Sequence, residues 1–312
     1  MSVTPKILVA GSYGVSTRYV VDRAPAAGET VIAARVGTDH GGKGSNQAVC
    51  AARLGAEVTF MTALGGDHSA DAARALWRTE GVVAVVEEFP ASPTMSGAIV
   101  VDRSGENCIT VGLGAMADLT AEHAAVTDAI AGPGWIAVVQ NEAPVEYTFE
   151  VLRRAKRNGA TTILNPAPAF APDQLDESLW DVVDFVLPNE HEALALLGVA
   201  GDNRPGDAEE IARTLARRTR STVVITRGAR GAVISDGVTV EARAVDAVRA
   251  VDTTGAGDTF TGAFAVAIGR GADVGDATDF ANRAAGYSVR HAGVINGLPR
   301  ASDLTPIEWR TP

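Results

Sequence analysis

The chain has 312 residues, 46% of them apolar and 21% charged, with a net charge of −11. This is globular composition, which excludes a disordered chain, and the acidity excludes a general nucleic-acid binder, which needs a basic surface. At roughly 100–200 residues per domain, the length suits one large domain over 1–312 with a small accessory part.

Residues 6–10 (KILVA) predict a buried strand ended by Gly11. Residues 19–21 and 30–36 predict two short strands with no helix between them. A helix is expected over 45–54, closed by Gly55, then a strand over 58–62 and a helix over 71–80. Residues 98–101 and 107–111 predict a hairpin around a Ser104-Gly105 turn. Beyond it come a strand at 136–139, a helix at 145–158 closed by Gly159, and strands at 162–164 and 185–187. Helices at 190–197 and 208–218, strands at 223–226 and 232–235, and helices at 257–268 and 277–290 complete the series. Such alternation predicts an α/β fold, a mainly parallel central sheet flanked by helices. The four short strands inside 12–38 and 95–114 break it. They predict a separate small β-sheet, a lid over the carboxyl edge of the main sheet, where open α/β folds bind ligands.

Glycine is in excess, with 33 residues, and it is clustered. The run Gly41-Gly42-Lys43-Gly44-Ser45-Asn46 enters a predicted helix. Residues 37–43 follow most of a phosphate-binding G-x-x-x-x-G-K loop, but Gly44 stands where Ser or Thr should hold Mg²⁺. What remains is a glycine turn at a helix start, where Lys43 and Asn46 can bond the hydroxyls of a polar ligand. A tight strand–helix turn would ask for the same glycines. The second run, Asp252-Thr253-Thr254-Gly255-Ala256-Gly257-Asp258, leads straight into an apolar helix. The N–H groups of Gly255, Ala256 and Gly257 at that helix start form an anion hole suited to phosphate oxygens. An aspartate in a first helical turn is usually a cap. Beside bound phosphate, Asp258 would be unfavourable unless it accepts a hydroxyl proton during phosphoryl transfer.

These two runs, with Gln47-Ala48 and Thr259-Phe260 continuing them, resemble the two signatures of the PfkB (ribokinase-like) carbohydrate kinase family. Gly28-Glu29-Thr30 is similar to the family's lid segment, and Asn165-Pro166-Ala167-Pro168-Ala169 to a run found in ribokinases. Pro188-Asn189-Glu190-His191-Glu192 resembles its N-x-x-E motif, and Thr226-Arg227-Gly228-Ala229-Arg230-Gly231 its T-x-G-x-x-G nucleotide loop. The resemblance implies an ATP-dependent kinase that phosphorylates the terminal hydroxymethyl of a ribose-like sugar, with Asp258 as base. It implies that Gly255, Ala256 and Gly257 stabilise the transferring phosphoryl group. Gly42, Lys43, Asn46 and Glu142 (in Gln140-Asn141-Glu142) would bind sugar hydroxyls. Asn189 and Glu192 would organise Mg²⁺ and phosphates through water, Thr226, Gly228 and Gly231 would contact the nucleotide, and Asn282 would lie near adenine. Asp252, with carbonyls around Thr254 and Gly293, resembles the family's K⁺ site, so ATP, Mg²⁺ and K⁺ are expected.

Two departures stand out. Where ribokinases resemble G-S-x-N-x-D, this chain reads Gly11-Ser12-Tyr13-Gly14-Val15-Ser16. Ser16 offers one neutral group where a carboxylate could accept two bonds, so weak ribose use is expected, with another sugar or a nucleoside preferred. Restoring Asn at Gly14 and Asp at Ser16 is expected to improve ribose use. Gly114-Ala115-Met116 departs from a Gly-Ala-Asn run and suggests a different pocket rim. The alternatives are a nucleoside or other sugar kinase of the same family, decided by the pocket near Gly14, Ser16 and Met116, and a non-catalytic sugar-binding regulator, opposed by the intact Gly-Ala-Gly-Asp loop. Val20, Val31, Ala98 and Val100 are too apolar for a thin sheet with one face in water, so a homodimer through the lid is expected. Cys50 and Cys108 cannot build a disulfide framework, and residues 1–11 carry an apolar run too short for a signal peptide, so the cytoplasm is the expected compartment. No apolar run approaches the ~18 residues that span a bilayer, and no membrane partner is expected.

Overall fold

In the computed structural model, which describes residues 3–103, 106–170, 175, 177–199 and 206–305, strands and helices alternate around two sheets. The first part of the chain holds β1 (Lys6–Ala10), β2 (Gly14–Val20), β3 (Arg35–Gly41), α1 (Lys43–Arg53), β4 (Glu57–Gly65), α2 (His68–Glu80), β5 (Val83–Phe89), β6 (Met95–Val101), β7 (Asn107–Gly112) and α3 (Thr127–Ile130). Next come β8 (Trp135–Gln140), α4 (Val145–Arg157), β9 (Thr161–Asn165), β10 (Phe185–Val186), α5 (Glu190–Leu196), α6 (Ala208–Thr219) and β11 (Thr222–Thr226). The chain closes with β12 (Ala232–Ser235), β13 (Val240–Arg243), α7 (Ala256–Gly269), α8 (Val274–Ser288) and α9 (Val294–Gly297).

The larger sheet has nine strands in the order β13-β12-β11-β10-β9-β8-β1-β4-β5. Its neighbours run parallel from β11 to β5, and β12 and β13 add an antiparallel edge. The central strands are continuous apolar runs because helices cover both faces. Alternate side chains of β1 serve opposite layers. Leu8 and Ala10 join a core with Phe149 and Leu152 of α4 and Leu215 of α6. Ile7 and Val9 join the other, with Val49 of α1, Phe264 of α7 and Phe280 of α8. Among the described residues no helix is long and apolar enough to cross a membrane.

The smaller sheet, in the order β3-β2-β6-β7, grows from the carboxyl edge of the larger one. The chain leaves β1 at Ala10, enters β2 at Gly14, and returns along β3 directly into α1. Its first two strands lie at Gly14–Val20 and Arg35–Gly41, not at 19–21 and 30–36. Pairing starts as soon as the chain clears the main sheet, with Gly14 opposite Gly41 and Tyr19 opposite Val36. Residues 22–34 then form a connecting loop, turned at Gly28 (φ +81°) and closed by Ala34 N–H on the Val20 carbonyl at 2.8 Å. Ile32 in that loop is 89% exposed, so its apolar character carries no strand. The expected hairpin is present as antiparallel β6 and β7, whereas its Ser104-Gly105 turn lies outside the described residues. Two edge strands were not foreseen. β5 follows α2 directly, and β13 (VEAR) has only four residues, too few for its alternation to stand out.

Candidate active site

The carboxyl ends of five parallel strands converge on one depression, as expected for an open α/β sheet. Ser12 follows β1, Glu142 follows β8, Asn165 ends β9, Asn189 follows β10 and Thr226 ends β11. The N-termini of α1 and α7 face them. A cavity of about 190 Å³ is lined there by Lys43, Asn189, Glu192, Thr226, Gly255 and Asp258, among others.

Asp258 sits in the first turn of α7 and is 7% exposed. Both of its oxygens are held by neutral amides from α1. Asn46 Nδ2 donates to Oδ2 at 2.8 Å and Gln47 Nε2 donates to Oδ1 at 3.1 Å. Gln47 is itself fixed: its Nε2 also donates to Asn165 Oδ1 at 3.0 Å, and its Oε1 accepts from Gln140 Nε2 at 2.6 Å. Gly42 caps α1 with φ +89°. A Cβ there would lie 2.6 Å from Tyr13 Cα, so only glycine allows α1 to start this close to the connection between β1 and β2.

Lys43 stands among three carboxylates. Asp258 above all, with Glu142 and Glu192, holds its ammonium above the usual lysine range despite burial. Glu142 accepts from Lys43 N at 2.9 Å and from Ser12 Oγ. Burial pushes its carboxyl up, and the Lys43 charge only partly opposes this. Glu192 is likewise raised by burial.

The remaining residues divide by location. Gly255 caps α7 in a left-handed conformation, φ +78°. Among the described residues the N–H groups of Gly255 and Gly257 have no partner, whereas Ala256 N–H turns back onto the Thr253 carbonyl at 3.3 Å. Asn189 and Glu192 form a reciprocal capping box at 2.8 Å in both directions, so the cap expected of a first-turn acid is present while Glu192 also faces the cavity. Gly228 (φ +56°) and Gly231 (φ +78°) shape the turn after Thr226, and a Cβ on Gly231 would lie 2.0 Å from the Arg243 carbonyl oxygen. Asn282 lines a separate cleft of about 220 Å³ with Val245, Val248 and Tyr287, and its buried Nδ2 has no partner. Asp252, Thr254 and Gly293 cluster beneath the α7 loop: Asp252 Oδ1 accepts from Thr254 N at 3.0 Å and Oδ2 from Gly293 N at 3.1 Å.

Ser16 lies on β2, opposite Asp39 of β3 and Gly97 of β6, and is not among the residues lining this cavity, although a Cβ on Gly41, just before α1, would lie 3.6 Å from its Oγ. Two expectations are corrected. Met116 forms no rim: it is fully buried in the core and accepts a bond from Thr62 Oγ1 at 3.5 Å. Gly14 leaves no free room, because a Cβ there would lie 2.7 Å from the Met95 carbonyl oxygen and 2.8 Å from Met95 Cε. Sequence reading also passed over Ser12, Gln47 and Arg18. The first two stand inside the quoted runs without a role of their own, which was a usable signal. Arg18 is a lone strand arginine, whose place only the sheet register reveals.

Residues 5–301 match the pfkB family of carbohydrate kinases, and the chain belongs to that family. It is 37% identical over 299 residues to a ribokinase of Bacillus subtilis, covering 96% of this chain and 97% of that one. It is similar in structure to a ribokinase from Thermotoga maritima (TM-score 0.83, 30% identity, 96% and 97% covered). It is also similar to an Arabidopsis thaliana ribokinase complexed with ribose and ATP (TM-score 0.84, 28% identity, 96% and 97% covered).

The raised Glu142 carboxyl has a stability consequence. The folded state holds that proton more tightly than the unfolded chain. Ionising the group therefore penalises folding as pH rises past the ordinary glutamate range and through the folded value. Glu142→Gln should melt at a higher temperature than the parent at neutral pH, and the gap should close in acid. A variant that melts no higher at neutral pH would contradict this electrostatic reading.

Proposed function

We propose that this protein is an ATP-dependent kinase that transfers the γ-phosphate to the terminal hydroxymethyl of a ribose-like sugar, with Asp258 as base. The observation that carries this reading is a buried aspartate, oriented at both oxygens by amides and, among the described residues, in no direct ion pair, set in the first turn of a helix beside the unpartnered N–H groups of Gly255 and Gly257. The ribokinase relatives support the substrate class. Asp258 takes the hydroxyl proton, the freed oxygen attacks the γ-phosphorus, and ADP leaves with the bridging oxygen. The Gly255 and Gly257 N–H groups, with Ala256 between them, face the charge that develops on the transferring phosphoryl group. Gly42, Lys43, Asn46 and Glu142 hold sugar hydroxyls. Thr226, Gly228 and Gly231 take the nucleotide phosphates, and the unpartnered Asn282 amide is available to adenine.

Asn189 and Glu192 fit a water-mediated Mg²⁺. Glu192 Oε2 is used by the capping box, which leaves its other oxygen as a hard donor on a residue that lines the cavity. When bound, Mg²⁺ would neutralise phosphate charge. At Asp252, Thr254 and Gly293, the place expected for K⁺, the guanidinium of Arg18 stands 3.7 Å from Asp252 Oδ2, so a cation is already there.

The ribokinase relatives favour a sugar over a nucleoside, and Met95 leaves no free room beside Gly14 for a larger group there. The same contact blocks an asparagine at position 14, which leaves position 16 as the one to restore. The free thiols Cys50 and Cys108 support a reducing cytoplasm. A second copy of this chain would cover the smaller sheet, where Val36 is 62%, Ile109 55% and Val111 46% exposed.

Asp258→Asn keeps the side-chain size but removes the proton acceptor, so kcat should fall by about 10²–10⁴-fold with ATP binding retained. Near-normal turnover of the folded variant would remove Asp258 from this role. D-ribose should be phosphorylated weakly. Ser16→Asp should lower its KM by roughly tenfold or more, since a hydrogen bond to a charged group contributes about 1.5–3 kcal/mol. A low ribose KM in the parent, unchanged by Ser16→Asp, would refute the role given to position 16. Light scattering should report a dimer that Ile109→Glu disrupts, and a monomeric parent would reject the lid interface.

A further inference from the structure

Arg18 is the one side chain of the smaller sheet whose guanidinium pairs, among the described residues, with a carboxylate under the phosphate loop. Its NH1 stands 3.7 Å from Asp252 Oδ2, and its NH2 stands 3.9 Å from Asp39 Oδ2. The register explains both contacts. Arg18 and Ser16 project from the same face of β2, and Asp39 lies opposite Ser16 on β3, one step diagonally from Arg18. The Arg18 side chain is only 29% exposed and that of Asp252 only 14%, so this pair is less screened than a surface pair. Arg18 Nε is buried without a partner.

Asp252 ties together the parts that shape the start of α7. One oxygen accepts from Thr254 N–H, two residues before the end of the loop, and the other accepts from Gly293 N–H at the start of α9. α9 also packs beside β3 and presses on the loop: a Cβ on Gly255 would lie 2.6 Å from Val294 Cγ1. Anything that fixes the Asp252 carboxylate therefore fixes Gly255 and its unpartnered N–H. A carboxylate in that position needs a counter-charge. A K⁺ ion on Asp252 would have to sit beside a half-buried guanidinium of the same sign, whose remaining anion is the more distant Asp39. The residues present do not fit an added monovalent cation.

We infer that Arg18 is a built-in cation for Asp252, a positioning residue that orders the Gly255–Gly257 loop in place of K⁺ and ties that loop to the lid. The inference rests on the kinase reading for its catalytic consequence, but its structural half stands alone. Two measurements separate them. The first is the melting temperature of the substrate-free protein in potassium chloride and in choline chloride at equal ionic strength. The parent should melt alike in both. Arg18→Met should melt lower in choline chloride and regain part of the loss in potassium chloride, and Arg18→Lys should stay insensitive to the salt. This result does not depend on whether any sugar is phosphorylated.

The second is the rate of ADP release with a sugar substrate in potassium, sodium and choline chloride. Parent rates should agree within about twofold. In choline chloride Arg18→Met should lose roughly tenfold to a hundredfold in kcat, the scale of a displaced reacting group, with KM for the sugar little changed and with recovery in potassium chloride. A parent that K⁺ stabilises or activates several-fold overturns the inference. So does an Arg18→Met variant as active and as indifferent to the cation as the parent, or one whose loss K⁺ does not restore, because the role would then not be a supplied charge.

Discussion

Everything in the site depends on how the Asp258 carboxylate is held. It is buried, and its two nearest partners are neutral amides on consecutive residues of another helix. Neutral donors orient a carboxylate without quenching it, so it remains an acceptor for a proton. Buried polar groups of this kind are tolerated only when nearly every lone pair is matched. The chain Gln140–Gln47–Asn165, closed on the Leu187 carbonyl at 2.8 Å, provides most of that matching and leaves Gln140 Oε1 and Asn46 Oδ1 without a partner among the described residues. It also links the ends of β8 and β9 to both site helices.

The charges around this carboxylate are arranged in tiers. Lys43 lies among Asp258, Glu142 and Glu192 and compensates three acids with one ammonium. Burial raises two of those acids, and three carboxylates against one ammonium leave the site short of positive charge. The phosphates of ATP would add to the shortage, which the helix N-terminus and the proposed divalent cation would offset. The second tier is Arg18 with Asp252, one layer beneath the loop. The smaller sheet thus contributes more than a cover: a side chain of its strand β2 reaches the loop proposed to meet the transferring group.

The two glycine runs were legible because turn geometry restricts which residues can stand there. Gly42 and Gly255 both adopt positive φ with backbone or side-chain atoms where a Cβ would go. The parallel sheet was legible from apolar runs such as KILVA, whose burial on both faces erases alternation. The lid strands were misplaced because 30–36 looks apolar, yet Ile32 meets no partner and pairing begins at Gly14 instead. Met116 was read as rim because it follows the hairpin in sequence. The short turn Gly114–Asp118 tucks it under β4 instead, which no local pattern announces. Arg18 and Asp39 acquire meaning only through cross-strand register, a property of two strands rather than of either one.

The most direct test of the central claim is the identity of the product. The protein would be incubated with ATP, Mg²⁺ and D-ribose, and the sugar phosphate examined by phosphorus NMR. The account predicts a phosphate resonance coupled to the two protons of the terminal hydroxymethyl carbon, formed together with ADP. Phosphate on the anomeric oxygen, or ADP released with no sugar phosphate from ribose or any other pentose, would contradict it.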